Sequence, residues 1–141
     1  MKIEFKIFGI PQGKARPRVC RINGKSVTYT PKKTVEYERL IRASYNSVSN
    51  FKFKESIPLE MNIIALFPIP KSTSKKIKFL MLGGEILPTK KPDSDNIIKA
   101  ICDALNGIAY EDDKQICRVY FEKKYCQFPC IKVEIKDITE G

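Results

Sequence analysis

The sequence predicts one α+β domain in which helices pack on a mixed β-sheet. A length of 141 residues suits a single domain with one hydrophobic core. Hydrophobic residues make up 43% and charged residues 30%, which is ordinary for a folded chain. Alternating segments are interspersed with segments of helical period, and neither a linker nor an internal repeat divides them. We therefore expect a single domain over residues 1–141.

A strand and a hairpin are expected at the start of the chain. Residues 2–8 alternate apolar and charged side chains, which predicts a strand with one buried face. Asn23-Gly24 separates two short strand-like runs, 19–22 and 25–29. Because both turn residues tolerate positive φ, this pattern is typical of a tight hairpin.

A helix and a central strand follow. The helix is expected to start with Pro31, to have Thr30 as its N-cap and to run to about residue 48. Its buried side is expected to be a stripe made of Val35, Leu40, Ile41, Ser44, Tyr45 and Val48. Residues 59–67 alternate as a strand, and the other face carries Ile64 and Leu66. This strand is therefore expected to be central and buried on both faces.

Two helices and a second hairpin are expected in the rest of the chain. Residues 72–82 read as a short basic helix capped by a serine, and residues 95–106 form the clearest helix. The alternating runs 115–125 and 131–137 are joined by a short turn that contains a proline. Because strands joined by so short a connection usually pair, they are expected to form a hairpin.

The charge balance indicates a polyanionic partner. Lysine and arginine total 26 against 16 acidic residues, a net charge of +10. Nucleic acid is the first expectation for so basic a domain. A membrane surface is less favoured, because the sequence has no amphipathic helix rich in Trp or Phe. No apolar stretch is long enough to span a bilayer, and no signal peptide is expected. The alternative is that the lysines only keep the chain soluble.

The absence of histidine excludes several kinds of site. Ser-His-Asp chemistry, Cys-His chemistry and zinc sites with histidine ligands are ruled out. Five cysteines remain, without a Cys-x-x-Cys pair, and are expected to be thiols in a reducing compartment. A metal or redox site at Cys126 and Cys130 is the alternative.

An acidic cluster contrasts with the basic background, because five of the six aspartates lie between positions 93 and 113. If the chain is extended through Ser94, Asp93 and Asp95 point to the same side, where their repulsion favours a bound Mg²⁺. The chain can return after the helix and bring Asp113 beside them. Three converging carboxylates would suit metal-dependent phosphodiester hydrolysis. The alternatives are that these residues cap the helix or form a polar turn.

Basic residues near this cluster are candidates for contact with DNA. Lys99, one turn into the helix, could stabilise developing charge, or could only pair with a neighbouring aspartate. A run with Lys14, Arg16 and Arg18 is the best candidate for binding backbone phosphates, and a solvated loop is the alternative. A second basic group could equally bind phosphates or only be solvated. It consists of Lys75, Lys76, Lys78, Lys90 and Lys91.

Several motifs together resemble the RusA family of Holliday junction resolvases. They are PQGKARPR from Pro11, YTPKKT from Tyr29, KPDSDNIIK from Lys91, DALNG from Asp103 and YEDDKQI from Tyr110. Each motif alone is weak, and their order and spacing over nearly the whole chain make the resemblance specific.

The resemblance implies a homodimeric, Mg²⁺-dependent endonuclease that nicks four-way DNA junctions symmetrically. It assigns metal binding and catalysis to Asp93, Asp95 and Asp113, adds Lys99 as the active-site lysine, and leaves Asp103 and Asp112 as less certain ligands. An isologous dimer would match the approximate two-fold symmetry of a junction.

The resemblance also implies a cytoplasmic protein encoded by a bacterium or a phage. We expect Lys14, Arg16, Arg18 and Lys91 to bind DNA, Mn²⁺ as a substitute for Mg²⁺, no membrane and no small-molecule cofactor. Two alternatives stay open: a nuclease for flaps or forks, and a non-catalytic nucleic-acid-binding module.

Overall fold

Six strands and three α-helices form residues 1–139, the part of the chain that this computed structural model describes. The strands are β1 (Lys2–Phe8), β2 (Arg18–Ile22), β3 (Lys25–Tyr29), β4 (Leu59–Pro68), β5 (Ile116–Cys126) and β6 (Cys130–Asp137). The helices are α1 (Lys32–Asn46), α2 (Lys75–Leu82) and α3 (Ser94–Leu105), with a 3₁₀ turn at Asp113–Gln115. The predicted class, a single α+β domain with a mixed sheet, is confirmed.

Four strands form the main sheet in the order β1-β6-β4-β5. β6 lies antiparallel to both β1 and β4, whereas β4 and β5 are parallel. The expected hairpin of β5 and β6 is therefore wrong, because β4 lies between them. β4 ends at Pro68, opposite Cys126, and residues 127–129 connect β5 to β6 beyond that end.

The core lies between one face of the sheet and the helices α1 and α3. Inward side chains alternate along β1 and β4, where Phe5, Met61 and Phe67 are buried. α3 buries most of its apolar residues, including Ile97, Ile101 and Leu105. Burial of each such side chain contributes about 1.5–3 kcal/mol. This packing fixes both ends of α3 relative to the sheet.

The other face of the sheet is not covered by α1 or α3, which corrects the prediction for β4. β4 is central, as expected, but Asn62, Ile64 and Leu66 on its second face are only half-buried. Apolar residues on both faces suggested burial on both faces. α1 and α3 pack on each other and against the first face, so neither of them covers the second face.

The buried side of α1 agrees only in part with the predicted stripe, in which Ile41 and Tyr45 are confirmed. Thr34, Tyr37, Ile41 and Tyr45 are the buried residues, whereas Val35, Leu40 and Val48 are exposed. Two of the buried residues are tyrosines, whose rings pack in the core while the hydroxyl needs a partner. The hydroxyl of Tyr45 finds one, because it donates a hydrogen bond to the carbonyl of Phe51. The predicted cap is also wrong, because the N-cap is Pro31, which makes no side-chain capping bond, and not Thr30.

Two local signals are confirmed. Asn23 and Gly24 have φ of 52° and 77° in the turn between β2 and β3, which form a separate two-stranded sheet. α2 is shorter than expected because Ser74 caps it, accepting a hydrogen bond from the backbone N–H of Ile77 at 3.3 Å. Within residues 1–139, we find no helix with the length and apolarity needed to cross a membrane.

Candidate functional site

The start of α3 presents two exposed carboxylates. Asp93 occupies the N-cap position and Asp95 lies in the first turn, where the helix dipole favours negative charge. Asp93 makes no side-chain capping hydrogen bond, so the reading in which its carboxylate serves only as a cap is not supported. Its oxygens are therefore available to a ligand. The chain enters this position through a cis peptide bond between Lys91 and Pro92.

The basic loop, residues 9–17, is bound to both helices of the core. The backbone N–H of Lys14 donates to the carbonyl of Asn96 at 3.1 Å, and the N–H of Ala15 donates to the hydroxyl of Thr34 at 3.2 Å. A Cβ on Gly13 would lie 2.9 Å from the Cβ of Asn96. Only glycine allows the loop to approach α3 this closely. The loop and the start of α3 are thus held together as one surface.

A cleft of about 560 Å³ opens between the basic loop and the start of α3. Four basic side chains and one carboxylate line it: Lys14, Arg16, Lys33, Lys91 and Asp93. This combination suits a phosphate group held beside a catalytic carboxylate. Lys33 was not among the predicted DNA-binding residues, although it belongs to the motif at the start of α1. Arg18 is exposed at the start of β2.

Lys14 makes contacts inside the protein. Its ammonium lies 2.6 Å from a carboxylate oxygen of Asp103 and 4.0 Å from one of Glu38. Asn96, which accepts from the backbone of Lys14, lies two turns before Asp103 on the same side of α3. The side chain therefore runs along the helix, and its charge is largely matched within the chain. Its predicted contact with DNA stays a prediction.

Asp113 is positioned by the loop that follows α3. Its backbone N–H donates to the side-chain oxygen of Asn106 at 2.8 Å. The preceding residue, Asp112, caps the 3₁₀ turn by accepting from the N–H of Lys114 at 2.9 Å. The position of Asp113 is therefore determined by its neighbours and by the end of α3.

A buried glutamine anchors this loop, and the sequence analysis did not identify it. The amide of Gln115 donates to the carbonyls of Lys54 and Ile57, at 2.8 and 3.1 Å. Its oxygen accepts from the N–H groups of Glu111 and Asp112, at 2.9 and 3.2 Å. Four bonds from one side chain fix the loop to the segment before β4. The sequence did contain a sign of this role, because Gln115 follows Asp112 by three residues, which is the spacing of a capping box.

Negative charge accumulates around Asp113. Partial burial raises the pKa of its carboxyl group, and the nearby carboxylates of Asp112 and Asp103 raise it further. Asp113 therefore lies close to Asp103, which is near the end of α3, while Asp93 and Asp95 are at its start. Like charges at such short range favour a bound cation or a proton.

The structure does not assemble the three predicted ligands into a metal site. Among residues 1–139, no group of three acidic or cysteine side chains is placed to hold a metal ion jointly. The donors nevertheless fit a hard divalent cation, because they are carboxylates and are mostly exposed. Mg²⁺ often takes only one or two protein carboxylates and completes its coordination with water.

Lys99 is exposed on α3, and the alternative in which it only pairs with an aspartate is not supported. No ion pair between Lys99 and an acidic side chain occurs in the described residues. Its ammonium is therefore free to meet a ligand.

The cysteines take no part in this arrangement. All five are free thiols, as expected, and the thiol of Cys126 donates to the carbonyl of Phe128. Burial raises the pKa of Cys102 to about 12, with smaller contributions from nearby aspartates. This thiol is thus kept protonated and inert.

Fold and surface together define a small basic α+β domain with exposed carboxylates beside a cleft of basic side chains. Residues 9–136 match the family model described as endodeoxyribonuclease RusA. The chain belongs to the RusA endodeoxyribonuclease family. It is also similar to the uncharacterized protein YqaN of Bacillus subtilis (strain 168), with 33% identity over 142 residues, covering 97% of each chain.

Proposed function

We propose that this protein is a Mg²⁺-dependent endonuclease that resolves four-way DNA junctions by paired, symmetric nicks. Membership of an endodeoxyribonuclease family over residues 9–136 is the observation that carries the proposal. The site supports it, because the exposed carboxylate of Asp93, at the start of α3, shares a cleft with basic side chains. A purely non-catalytic binding module would give the exposed carboxylate of Asp93 no role beyond its favourable position at the helix N-terminus.

Each group would have a distinct role in this reaction. Asp93 and Asp95 would hold the metal, with water completing its coordination sphere. Asp113, which lies beside Asp103 near the other end of α3, would join them when the loop after α3 shifts toward the start of the helix. When bound, Mg²⁺ supplies a more acidic water and neutralises charge on phosphate oxygens. Lys99, exposed one turn after Asp95, would offset the charge that develops as the phosphodiester bond breaks.

The basic side chains of the cleft would position the DNA strand. Arg16, Lys33 and Lys91 line the cleft beside Asp93, and their phosphate contacts would place the scissile bond near the carboxylates. Such contacts carry no sequence information, so the shape of the junction would supply most of the selectivity. We also propose a homodimer, because two equivalent sites would match the pseudo-two-fold symmetry of a junction.

A cleavage assay with matched variants tests this proposal. Purified protein is mixed with end-labelled four-way junction, flap and linear duplex DNA, with Mg²⁺, with Mn²⁺ and with a chelator. We expect paired nicks that a ligase can seal on the junction, and none with the chelator. Asp93→Asn is expected to abolish cleavage while binding persists, whereas Glu85→Gln, at an exposed position after α2, serves as the charge-matched control.

The outcomes separate the alternatives. A single nick on the flap, with an intact junction, would indicate a nuclease for other branched DNA. A pure protein that binds junctions but never cuts any of them would indicate a binding module. A dimer is expected by analytical ultracentrifugation, and a monomer under conditions of full activity would contradict that part of the proposal.

A further inference from the structure

Helix α2 carries a concentration of positive charge that the proposed site does not use. Four lysines lie between positions 71 and 84, and no acidic residue occurs from Met61 to Gly84. None of these four lysines forms an ion pair within residues 1–139. Their charge is therefore available to an outside partner.

The outer side of α2 also exposes large apolar side chains. Lys75, Lys78 and Phe79 lie within one turn and share a side of the helix. Phe79 is 75% exposed and Leu82 is 46% exposed, although the helix packs on β5. No residue of α2 is buried. The outer side thus combines positive charge with an accessible aromatic ring.

The connection from α2 to the candidate site is basic as well. Lys123 on β5 donates to the carbonyl of Lys90 at 2.8 Å, and the ammonium of Lys90 lies 5.9 Å from the ring centre of Tyr125. These contacts hold the segment before Asp93 against the strand on which α2 packs. Lys91, in the same segment, lines the cleft. Lys90 and Lys91 therefore lie between α2 and Asp93 along the chain, and Glu85 is the one acidic residue in this connection.

We propose that the outer side of α2, with Lys75, Lys76, Lys78 and Phe79, binds the phosphate backbone of a duplex arm outside the cleavage site. This rests on the proposed function, and it adds a second contact on the same substrate. Unpaired lysines without intervening acids match the charge of a DNA backbone.

A membrane surface is the less favoured partner. Ile77, Leu80 and Met81 share the opposite side of this eight-residue helix, and Leu80 and Met81 are already half-buried. Too little apolar surface is left for the wide apolar face by which interfacial helices insert.

The test is the salt dependence of DNA binding by a triple variant, Lys75→Gln, Lys76→Gln and Lys78→Gln. Each lost phosphate contact lowers the slope of log affinity against log salt by about 0.9. The wild type is expected to lose affinity as salt rises from about 50 to 200 mM. Loss of three contacts makes that fall in affinity roughly 40-fold smaller in the variant. Dissociation constants are measured by fluorescence anisotropy on four-way junctions with short arms and with long arms. The decrease in slope is expected for junctions with long arms and is expected to be small for junctions with short arms.

A matched control removes the same charge elsewhere. Lys6, Lys132 and Lys136 are exposed on the open face of the sheet and form no ion pair within residues 1–139. Their triple glutamine variant is expected to keep the slope close to that of the wild type. An equal loss in the control would overturn the proposal, because net charge alone would then explain the effect. Circular dichroism of both variants verifies that they are folded.

The remaining outcomes distinguish this proposal from the proposed function. If the wild type cuts no junction but the α2 variant weakens binding to linear duplex, the DNA contact stands and the nuclease proposal fails. If the wild type cuts junctions and the α2 variant binds long arms with an unchanged slope, the contact is refuted. Loss of binding to anionic lipid vesicles, with DNA binding unchanged, would assign the surface to a membrane.

Discussion

Replacing Gly13 with alanine tests whether the close contact between the basic loop and α3 builds the site. The added Cβ would lie 2.9 Å from the Cβ of Asn96 and 3.0 Å from that of Pro92. Carbon atoms prefer separations of about 3.5–4.0 Å, so the loop and helix must separate by roughly 0.5–1 Å. The hydrogen bond from Lys14 to Asn96, now 3.1 Å long, would be stretched by the same movement.

The cost can be worked out from these contacts. Overpacking at such a site costs about 1–3 kcal/mol. For a chain of this length about 4 °C of melting temperature corresponds to 1 kcal/mol, so Tm is expected to fall by roughly 4–12 °C. Because a displacement near 1 Å at a catalytic site can cost about 100-fold in rate, we expect junction cleavage to fall by a similar factor.

Differential scanning fluorimetry and single-turnover cleavage measure the two effects at a temperature where the variant is folded. Gly83→Ala is the control, because its Cβ would meet only the carbonyls of Phe79 and Leu80, far along the chain from Asn96. If Gly13→Ala keeps the melting temperature of the wild type and cleaves within twofold of its rate, the close approach does not position the site.

Three further changes test other parts of the structure. Gln115→Leu leaves two buried carbonyls and two N–H groups without their partner, so the free energy of unfolding is expected to fall by about 2–4 kcal/mol in urea denaturation. Lys14→Met leaves the carboxylate of Asp103 unpaired and is expected to cost about 1–2 kcal/mol, between the values for exposed and buried pairs. Because its raised pKa of about 12 keeps the thiol of Cys102 protonated, iodoacetamide at pH 8.5 is expected to label the exposed Cys117 and spare Cys102 in the native protein, as read by mass spectrometry.

Different results would contradict each of these expectations. Unfolding energies within 0.5 kcal/mol of the wild type, about the effect of an ordinary surface change, would show that Gln115 is not an anchor and that the Lys14 pair carries no stability. Equal labelling of both cysteines before unfolding would show that Cys102 is accessible.

Local signals in the sequence predicted individual elements well. The Asn23-Gly24 turn, the alternation of β1 and the apolar period of α3 depend on neighbours a few residues apart, and all three are confirmed. The failure at β5 and β6 has a different origin. Two strands joined by a short connection usually pair with each other. Here β4 lies between β5 and β6 and forms backbone hydrogen bonds with both. Sequence proximity does not report that competition.

The sequence predicted which types of side chain form the candidate site better than it predicted how they are arranged in space. The concentration of aspartates and the basic loop pointed to the region where a cleft joins Asp93 with residues of that loop. The partners of Asp113 were not predictable, because they depend on how the loop after α3 folds around Gln115. Lys14 was expected to face DNA, and its pairing with Asp103 follows from a contact across 89 positions of the chain.

A crystal structure of the protein with Mn²⁺ and a four-way junction tests the central claim most directly. Anomalous scattering locates the manganese independently of any assumed ligand. We predict a manganese ion bonded to carboxylate oxygens from the start of α3, Asp93 or Asp95, and from Asp113, next to a backbone phosphate. Manganese bound only by Asp103 and Asp112, with Asp93 and Asp95 turned to solvent, would contradict the proposed site.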